Sequence, residues 1–323
     1  MGNGRVLFLY ENDAAFVRDD LAILRERFDV TPLDCSRGVT LGTMFGLLRG
    51  VDITYSWFAL GYAALAVLAG KLRGRPSIVV AGGWDVLAMP EIEYGAVRSR
   101  RGRRRARFTL RRANRVLAIS EFSRRTIREL SGRDPTLVYL GVDTERFRPA
   151  PKQDVVVSVG NITTQNLRRK GMDAFVRAAE HVPGVRFVLA GNQAPDAIAA
   201  LRNAAAPNVE FPGFLTDDDL RDLLARAQVY VQASYNEGFG LAVAEAMASG
   251  CVPVTTREGS LPEVVGETGF FAPLGDPAAT GRAIREALAS GRGAAARERV
   301  VSLFPIARRR QRVLELTQGL LEP

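Results

Sequence analysis

The chain has 323 residues, 47% of them hydrophobic and 24% charged, with a formal net charge of +9 and a sequence pI near 10.1. That length is too great for one ordinary domain and suits two of about 150 residues, and the composition is that of a folded globular protein. Two cysteines, Cys35 and Cys251, share neither C-x-x-C nor metal-ligand spacing, which argues against a zinc site or redox pair and fits a reducing compartment.

The first apolar run, RVLFLY, is short and soon meets Glu11 and Asn12, so it reads as a core strand rather than a secretory leader. A helix over residues 13–27 follows, then the strand FDVTPL, a helix after Val39 and the strand VDITYS. The apolar stretch from Trp57 to Leu72 is interrupted by Gly61 and Gly70 and falls short of the roughly 20 residues that a membrane span needs. It reads as a buried helix over residues 59–71, leading to the strand SIVVAGG. Residues 98–115, RSRRGRRRARFTLRRANR, hold ten arginines and no acid, so this one block accounts for the basic balance. On a helix, Arg100, Arg104, Arg107, Arg111 and Arg115 would share a face. Beyond it come RVLAIS, a helix opened by Ser120 and the strand TLVYL.

GVDTERFRPAPKQ is polar, broken by Gly141, Pro149 and Pro151, and reads as a linker. The rhythm then restarts with DVVVSVG, a helix over 172–181, VRFVLAG, a helix near 196–204, NVEFPG, a helix over 217–227, QVYVQAS, a helix over 240–249 and VPVTT. Cys251, in GCVPVTT, reads as a small buried hydrophobe. Such alternation predicts an α/β chain of two doubly wound Rossmann-like domains, 1–150 and 151–323, facing across a cleft, with the last helix expected to pack back on the first domain. Neither G-x-G-x-x-G nor G-x-x-x-x-G-K-[ST] is present, which removes the main support for dinucleotide or P-loop chemistry.

The most informative segment is YNEGFGLAVAEAMASGCVPVTT, residues 235–256. Glu237 in a loop and Glu245 on the following helix are eight apart, so both carboxylates can reach a strand-end crevice. The glycines admit close approach of backbone N–H groups, the helix start favours a diphosphate, and a carboxylate accepts from a vicinal diol. A sugar and a phosphate held together is the chemistry these residue types support, while Glu237 as a plain loop carboxylate and Glu245 as a surface helix residue remain open.

This segment closely resembles the E-x7-E signature of retaining glycosyltransferase family four, and the likeness continues through NRVLAISEFSRRTI, GVDTERFRP, VSVGNITTQNLRRKGMDAFVRAA, VEFPGFLTDDDLRDLLARAQVYVQAS and SLPEVVGETGFFAPLGD. It covers roughly residues 77–288, and the fold it implies is GT-B. The resemblance implies that Glu245 holds the donor ribose and that Glu237 sits beside the hexose, with Gly238, Phe239, Gly240 and Leu241 lining sugar and phosphate. Lys170 then neutralises the diphosphate as a point charge, Leu215 falls where the base is contacted, and Glu237 and Lys170 are the catalytic pair.

Two departures stand out. Asn161 occupies the place of the family's phosphate-clamp arginine, leaving Arg168 or Arg169 to supply that charge. Gly82 stands where the N-terminal domain often presents a histidine, leaving Asp13, Gly82, Gly83, Trp84 and Asp85 as acceptor-side candidates. The single histidine, His181, lies before a Pro-Gly turn and reads as structural or solvent-exposed, so no histidine base is expected. Front-face transfer implied by the family needs none, because the leaving phosphate can take the proton.

The expectation is therefore a retaining, metal-independent hexosyltransferase that uses a nucleotide-sugar substrate and no cofactor. Its acceptor would be a glycan or a lipid-linked hydroxyl, and its place cytoplasmic or at a membrane face. A non-catalytic sugar-nucleotide or anionic-lipid binder, or an epimerase of the same shape, is the alternative. The arginine block, with Arg103, Arg104, Arg105, Arg107 and Arg111 at its centre, points to an anionic partner (a lipid surface, a phosphorylated acceptor or nucleic acid), with a plain solvated arginine-rich face as the alternative. Nucleic acid is disfavoured because Phe108 is the block's single aromatic residue.

Overall fold

The computed structural model describes residues 4–322 and divides into two compact units. In chain order the first unit contains β1 (Arg5–Tyr10), α1 (Ala15–Arg25), β2 (Asp29–Asp34), α2 (Leu41–Leu47), β3 (Ile53–Trp57), α3 (Gly61–Arg73) and β4 (Ser77–Ala81). It continues with α4 (Arg100–Arg112), β5 (Arg115–Ala118), α5 (Glu121–Ser131) and β6 (Thr136–Leu137). The six strands form one parallel sheet in the order β2-β1-β3-β4-β5-β6. β3 and β4 are buried at every position, as expected for strands covered by helices on both faces.

The second unit holds β7 (Gln153–Val159), α6 (Thr164–Arg169), α7 (Met172–Ala178), β8 (Arg186–Ala190), α8 (Pro195–Ala204) and β9 (Val209–Gly213). After these come α9 (Asp217–Arg226), β10 (Ala227–Gln232), α10 (Leu241–Ala248), β11 (Val252–Thr255), α11 (Leu261–Val265), β12 (Phe270–Phe271), α12 (Pro277–Ala289) and α13 (Gly293–Leu303). Its sheet, again parallel throughout, runs β12-β11-β10-β7-β8-β9. Val156, Phe175, Phe187, Val229, Val254 and Ile284 belong to its core. Cys251 is fully buried there, and burial pushes its thiol up to about 11.

The division falls at 140/141 rather than 150/151. Val142 donates to the Phe304 carbonyl, Ala150 to that of Ala225, and Arg297 to those of Phe147 and Thr144, so the stretch read as a linker is stitched to the second unit. Two further expectations change. Residues 164–169, left between strand and helix, form α6 because the Thr163 hydroxyl accepts the Asn166 N–H and caps it. Arg115 opens β5, so it leaves the arginine row of α4.

From Ala307 onward the final helix, α14 (Ile306–Leu321), is grouped with the first unit. Its anchor is Arg309, buried with Asp20: Nε and Nη2 each lie 2.7 Å from a different carboxylate oxygen. The Tyr55 hydroxyl donates to the same carboxylate at 2.7 Å, and Arg309 Nη1 reaches the Val138 and Tyr139 carbonyls. Burial opposes the guanidinium charge, but Asp20 outweighs it and holds the Arg309 pKa above its ordinary value. Removing one partner leaves an uncompensated buried charge, at a cost of about 3–5 kcal/mol. Arg309→Ala is therefore expected to lower the unfolding free energy by that amount in urea titration, whereas Arg310→Ala, at an exposed and solvent-screened pair with Glu26, leaves it almost unchanged. Equal effects of the two variants would contradict this assignment.

Candidate active site

In an open parallel sheet the crevice for ligands opens where neighbouring crossovers leave in opposite directions. In the second unit that place lies between β7 and β10. The chain leaving β7 carries Gly160 and Asn161, then α6, Lys170 and Gly171; the chain leaving β10 carries residues 233–240. Gly171 (φ 62°) lets the two loops meet, since a Cβ there would fall 2.0 Å from the Ala233 carbonyl oxygen. The Tyr235 N–H donates to the Arg169 carbonyl at 2.9 Å and closes the seam.

This seam brings Lys170 Nζ to 2.5 Å from Glu237 Oε1. The same oxygen accepts from the Ser234 hydroxyl (2.8 Å) and from Gln232 Nε2 (3.2 Å). Behind them the buried Tyr230 hydroxyl donates to Gln232 Oε1 at 3.0 Å. The Glu237 carbonyl accepts both the N–H and the hydroxyl of Ser260, so the loop is fixed through backbone and side chain. Burial pushes the Glu237 carboxyl up, but the charges of Lys170 and Arg169 and these hydrogen bonds outweigh it and hold the pKa below its ordinary value. Tyr230, Gln232 and Ser234 were not singled out from the sequence. Their signal is a glutamine in the buried strand QVYVQAS.

α10 starts beside this pair. Gly240 caps it in the left-handed conformation (φ 87°) with no side-chain cap on the first turn. Leu241 opens the helix, and Glu245 is half-buried one turn along; burial raises the Tyr230 pKa, and the charges of Glu237 and Glu245 add to that rise. Phe239 is 2% exposed and packs edge-on against Phe304, so its side chain is core, and Gly238 precedes it in the same loop after β10. Asn161 Oδ1 is engaged by Asn192 Nδ2 at 3.1 Å. Of the two following arginines, Arg169 exerts its field on Glu237, while Arg168 lies over the Tyr235 ring. Leu215 lines a hollow under α9 with Pro212 and Leu223, and its neighbour Phe214 is 68% exposed.

A separate hollow of about 660 Å³ lies at the opposite ends of these strands, lined by Pro149, Lys152, Gly250 and Arg297 among others. Lys152 Nζ donates there to the carbonyls of Leu224, Ala227 and Ser249, which makes it a structural clasp.

In the first unit the switch falls between β1 and β3. Asp13, after β1, is exposed and pairs with Arg18. After β4, Gly82 adopts φ 145°, and a Cβ there would lie 2.5 Å from that of Ser123, so no histidine fits in its place. Asp85 is fully buried and accepts the N–H groups of Ala59, Gly82 and Gly83, joining the loops after β3 and β4. Burial raises its pKa against those bonds. Of the residues around it, Trp84 presents a side chain outward, 44% exposed. The arginine block divides: Arg111 Nε donates to the Ser131 carbonyl, Arg105 turns into a hollow beside Trp84, and Arg103, Arg104 and Arg107 stay exposed on α4. His181 is exposed at a helix end. Among the described residues no cluster of three His, Cys, Asp or Glu side chains gathers as metal ligands, and no helix is long and apolar enough to cross a membrane.

Two family models match the chain: Glycosyltransferase Family 4 over residues 12–146 and Glycosyl transferases group 1 over 153–290. Among curated proteins, D-inositol 3-phosphate glycosyltransferase of Mycobacterium tuberculosis is 32% identical over 176 residues, 47% of this chain and 36% of that one. A phosphatidylinositol N-acetylglucosaminyltransferase chain of Arabidopsis thaliana is 28% identical over 194 residues, 56% and 43% respectively. The matched stretch spans less than half the length of either relative. Among solved structures, Anabaena HepE in complex with UDP-glucose superposes with a TM-score of 0.79 at 20% identity, covering 98% of this chain and 100% of that one. Sucrose-phosphate synthase from Thermosynechococcus elongatus gives 0.79 at 19%, covering 98% and 99%. The fold is the GT-B pair of Rossmann-like domains.

The charge balance at Glu237 has a pH signature. A carboxyl whose folded pKa is depressed contributes stability above its unfolded value, roughly 4.3, and loses it as pH falls through the folded value. Glu237→Gln is expected to cost about 1–3 kcal/mol at pH 7, with the difference from wild type shrinking below that value in urea titrations across pH. A difference that does not vary with pH would contradict the ion pair.

Proposed function

The chain belongs to glycosyltransferase family four, and on that premise we propose that it transfers a hexose from a nucleoside diphosphate sugar to an acceptor hydroxyl with retention of configuration. The observation that carries this reading is Lys170 held against Glu237 at the switch point of the second sheet, beside the start of α10 with no side-chain cap. A diphosphate there meets the lysine ammonium, the field of Arg169 and the positive end of a helix. HepE, whose structures hold UDP and UDP-glucose, supports a uridine donor.

In this mechanism Glu245 accepts from the ribose hydroxyls and Glu237, with Lys170, positions the hexose against the leaving phosphate. The acceptor oxygen bonds to the anomeric carbon on the face from which the phosphate departs. The breaking bond leaves its electron pair on the phosphate oxygen, which takes the acceptor's proton. Lys170 and the α10 amides stabilise the charge that develops there, a role another enzyme gives a metal. The first unit receives the acceptor, a glycan or lipid-linked hydroxyl, and the exposed arginines of α4 hold the protein peripherally at the anionic cytoplasmic face of a membrane, at about 1 kcal/mol each.

The test is incubation with a panel of nucleoside diphosphate sugars, reading donor affinity by calorimetry and product configuration by proton coupling. A retained anomer, undiminished turnover in EDTA and a donor Kd raised about 10- to 100-fold in Glu245→Ala are expected. An inverted product, loss in EDTA reversed by manganese, or unchanged affinity in a folded Glu245→Ala would each count against the corresponding part.

A further inference from the structure

The first unit contains a hollow of about 580 Å³ at the carboxyl ends of β3 and β4, the edge at which parallel sheets bind ligands. Its walls are the loop from Ala59 to Gly61, Trp84, the turn at Gly95 and Ala96, and the first turns of α4. Arg98, Arg101 and Arg105 line it, and no acidic residue does. Among the described residues none of the three arginines has a carboxylate within 4.0 Å, although such pairs form elsewhere, as at Arg124 with Asp134 and Arg186 with Glu210.

The walls are fixed by close packing. Gly95 (φ 103°) lies so near Leu87 that a Cβ would fall 2.0 Å from its carbonyl oxygen, and a Cβ at Gly102 would fall 2.1 Å from that of Ala96. Ser99 caps α4 through the Gly102 N–H, and Asp85 holds the loop from which Trp84 projects. Arg105 reaches over the start of α3, its Nη1 3.8 Å from where a Gly61 Cβ would lie. Three like charges therefore converge on one cavity with no anion of the protein to balance them. Guanidinium groups bind phosphate oxygens in a planar fork, and an exposed indole face beside them suits the apolar face of a sugar or polyol.

We propose that this hollow binds the phosphate of the acceptor, so that the accepting hydroxyl belongs to a phosphorylated sugar or polyol, free or as a lipid headgroup. The proposal rests on the transferase reading for the word acceptor, but its binding site stands apart from the donor residues. It also divides the arginine block: Arg98, Arg101 and Arg105 recognise the ligand, and Arg103, Arg104 and Arg107 do not.

The test titrates glucose 6-phosphate and glucose into the whole chain, following the emission of Trp84; the second tryptophan, Trp57, is buried. A second arm measures sedimentation with vesicles of phosphatidylglycerol, a polyol headgroup, against phosphatidylserine of equal charge. Binding of the phosphate ester or preference for phosphatidylglycerol is expected, the first marking a free ligand and the second a headgroup. The ester affinity, and the ratio of phosphatidylglycerol to phosphatidylserine sedimentation, should fall at least about tenfold in R98Q/R101Q/R105Q and change less than about twofold in R103Q/R104Q/R107Q, whose lost charges lower sedimentation on the two lipids alike. Equal binding of glucose and its phosphate with no vesicle preference, or equal loss in both triple variants, would overturn the proposal. Donor binding, read by calorimetry on the same variants, is expected to be unchanged. Wild type that binds no nucleoside diphosphate sugar would strike the transferase reading alone and leave the phosphate result standing.

Discussion

A parallel strand pair needs a crossover, so each strand leaves the sheet at its carboxyl end and the chain must return to the other edge. Both six-stranded sheets here are parallel throughout, and loops of each unit therefore gather at one edge. At the switch point of the second sheet that constraint puts the loops after β7 and β10 side by side, and Gly171 allows them to touch. Lys170 and Glu237, sixty-seven residues apart in the chain, become an ion pair for that reason. Everything proposed for the donor depends on this junction, because a displaced loop would separate the cation from the carboxylate and from the start of α10.

The junction is held from behind as well as in front. Tyr230, Gln232 and Ser234 pass hydrogen bonds along the end of β10 to Glu237, and Ser260 holds its carbonyl. A carboxylate fixed by several donors keeps its orientation at the cost of desolvation, which the ammonium of Lys170 offsets. In the first unit Asp85 does comparable work with backbone N–H groups, joining the loops after β3 and β4 next to Trp84. The fully buried Asp85 and the largely enclosed Glu237 differ in what satisfies them. Glu237 is paired with a cation that a diphosphate can share, whereas Asp85 is spent on the protein's own backbone.

Much of the fold was legible in the sequence because a parallel sheet writes its strands as apolar runs such as SIVVA and DVVVSV. The E-x7-E segment exposed Glu237, Glu245 and the glycine that caps α10. Other features were not readable for definite reasons. A six-residue helix such as α6 carries too little periodicity, and its one sign is the Thr163 cap. The boundary at 140/141 depends on hydrogen bonds to residues 225, 297 and 304, which no local pattern announces. Phe239 looked like a site residue by position, but Phe304 claims its ring. The arginine block read as one patch, yet Arg105 lines a hollow, Arg111 is held by the Ser131 carbonyl, and Arg103, Arg104 and Arg107 stay exposed.

The central claim is that a nucleoside diphosphate sugar sits at the β7–β10 switch point, and hydrogen exchange on the whole chain with and without UDP-glucose tests it most directly. The account predicts slowed exchange confined to the amides of residues 160–171 and 234–245, the two loops and the first turn of α10. Slowed exchange instead around Pro149, Gly250 and Arg297, at the hollow on the opposite edge of the same sheet, would contradict it.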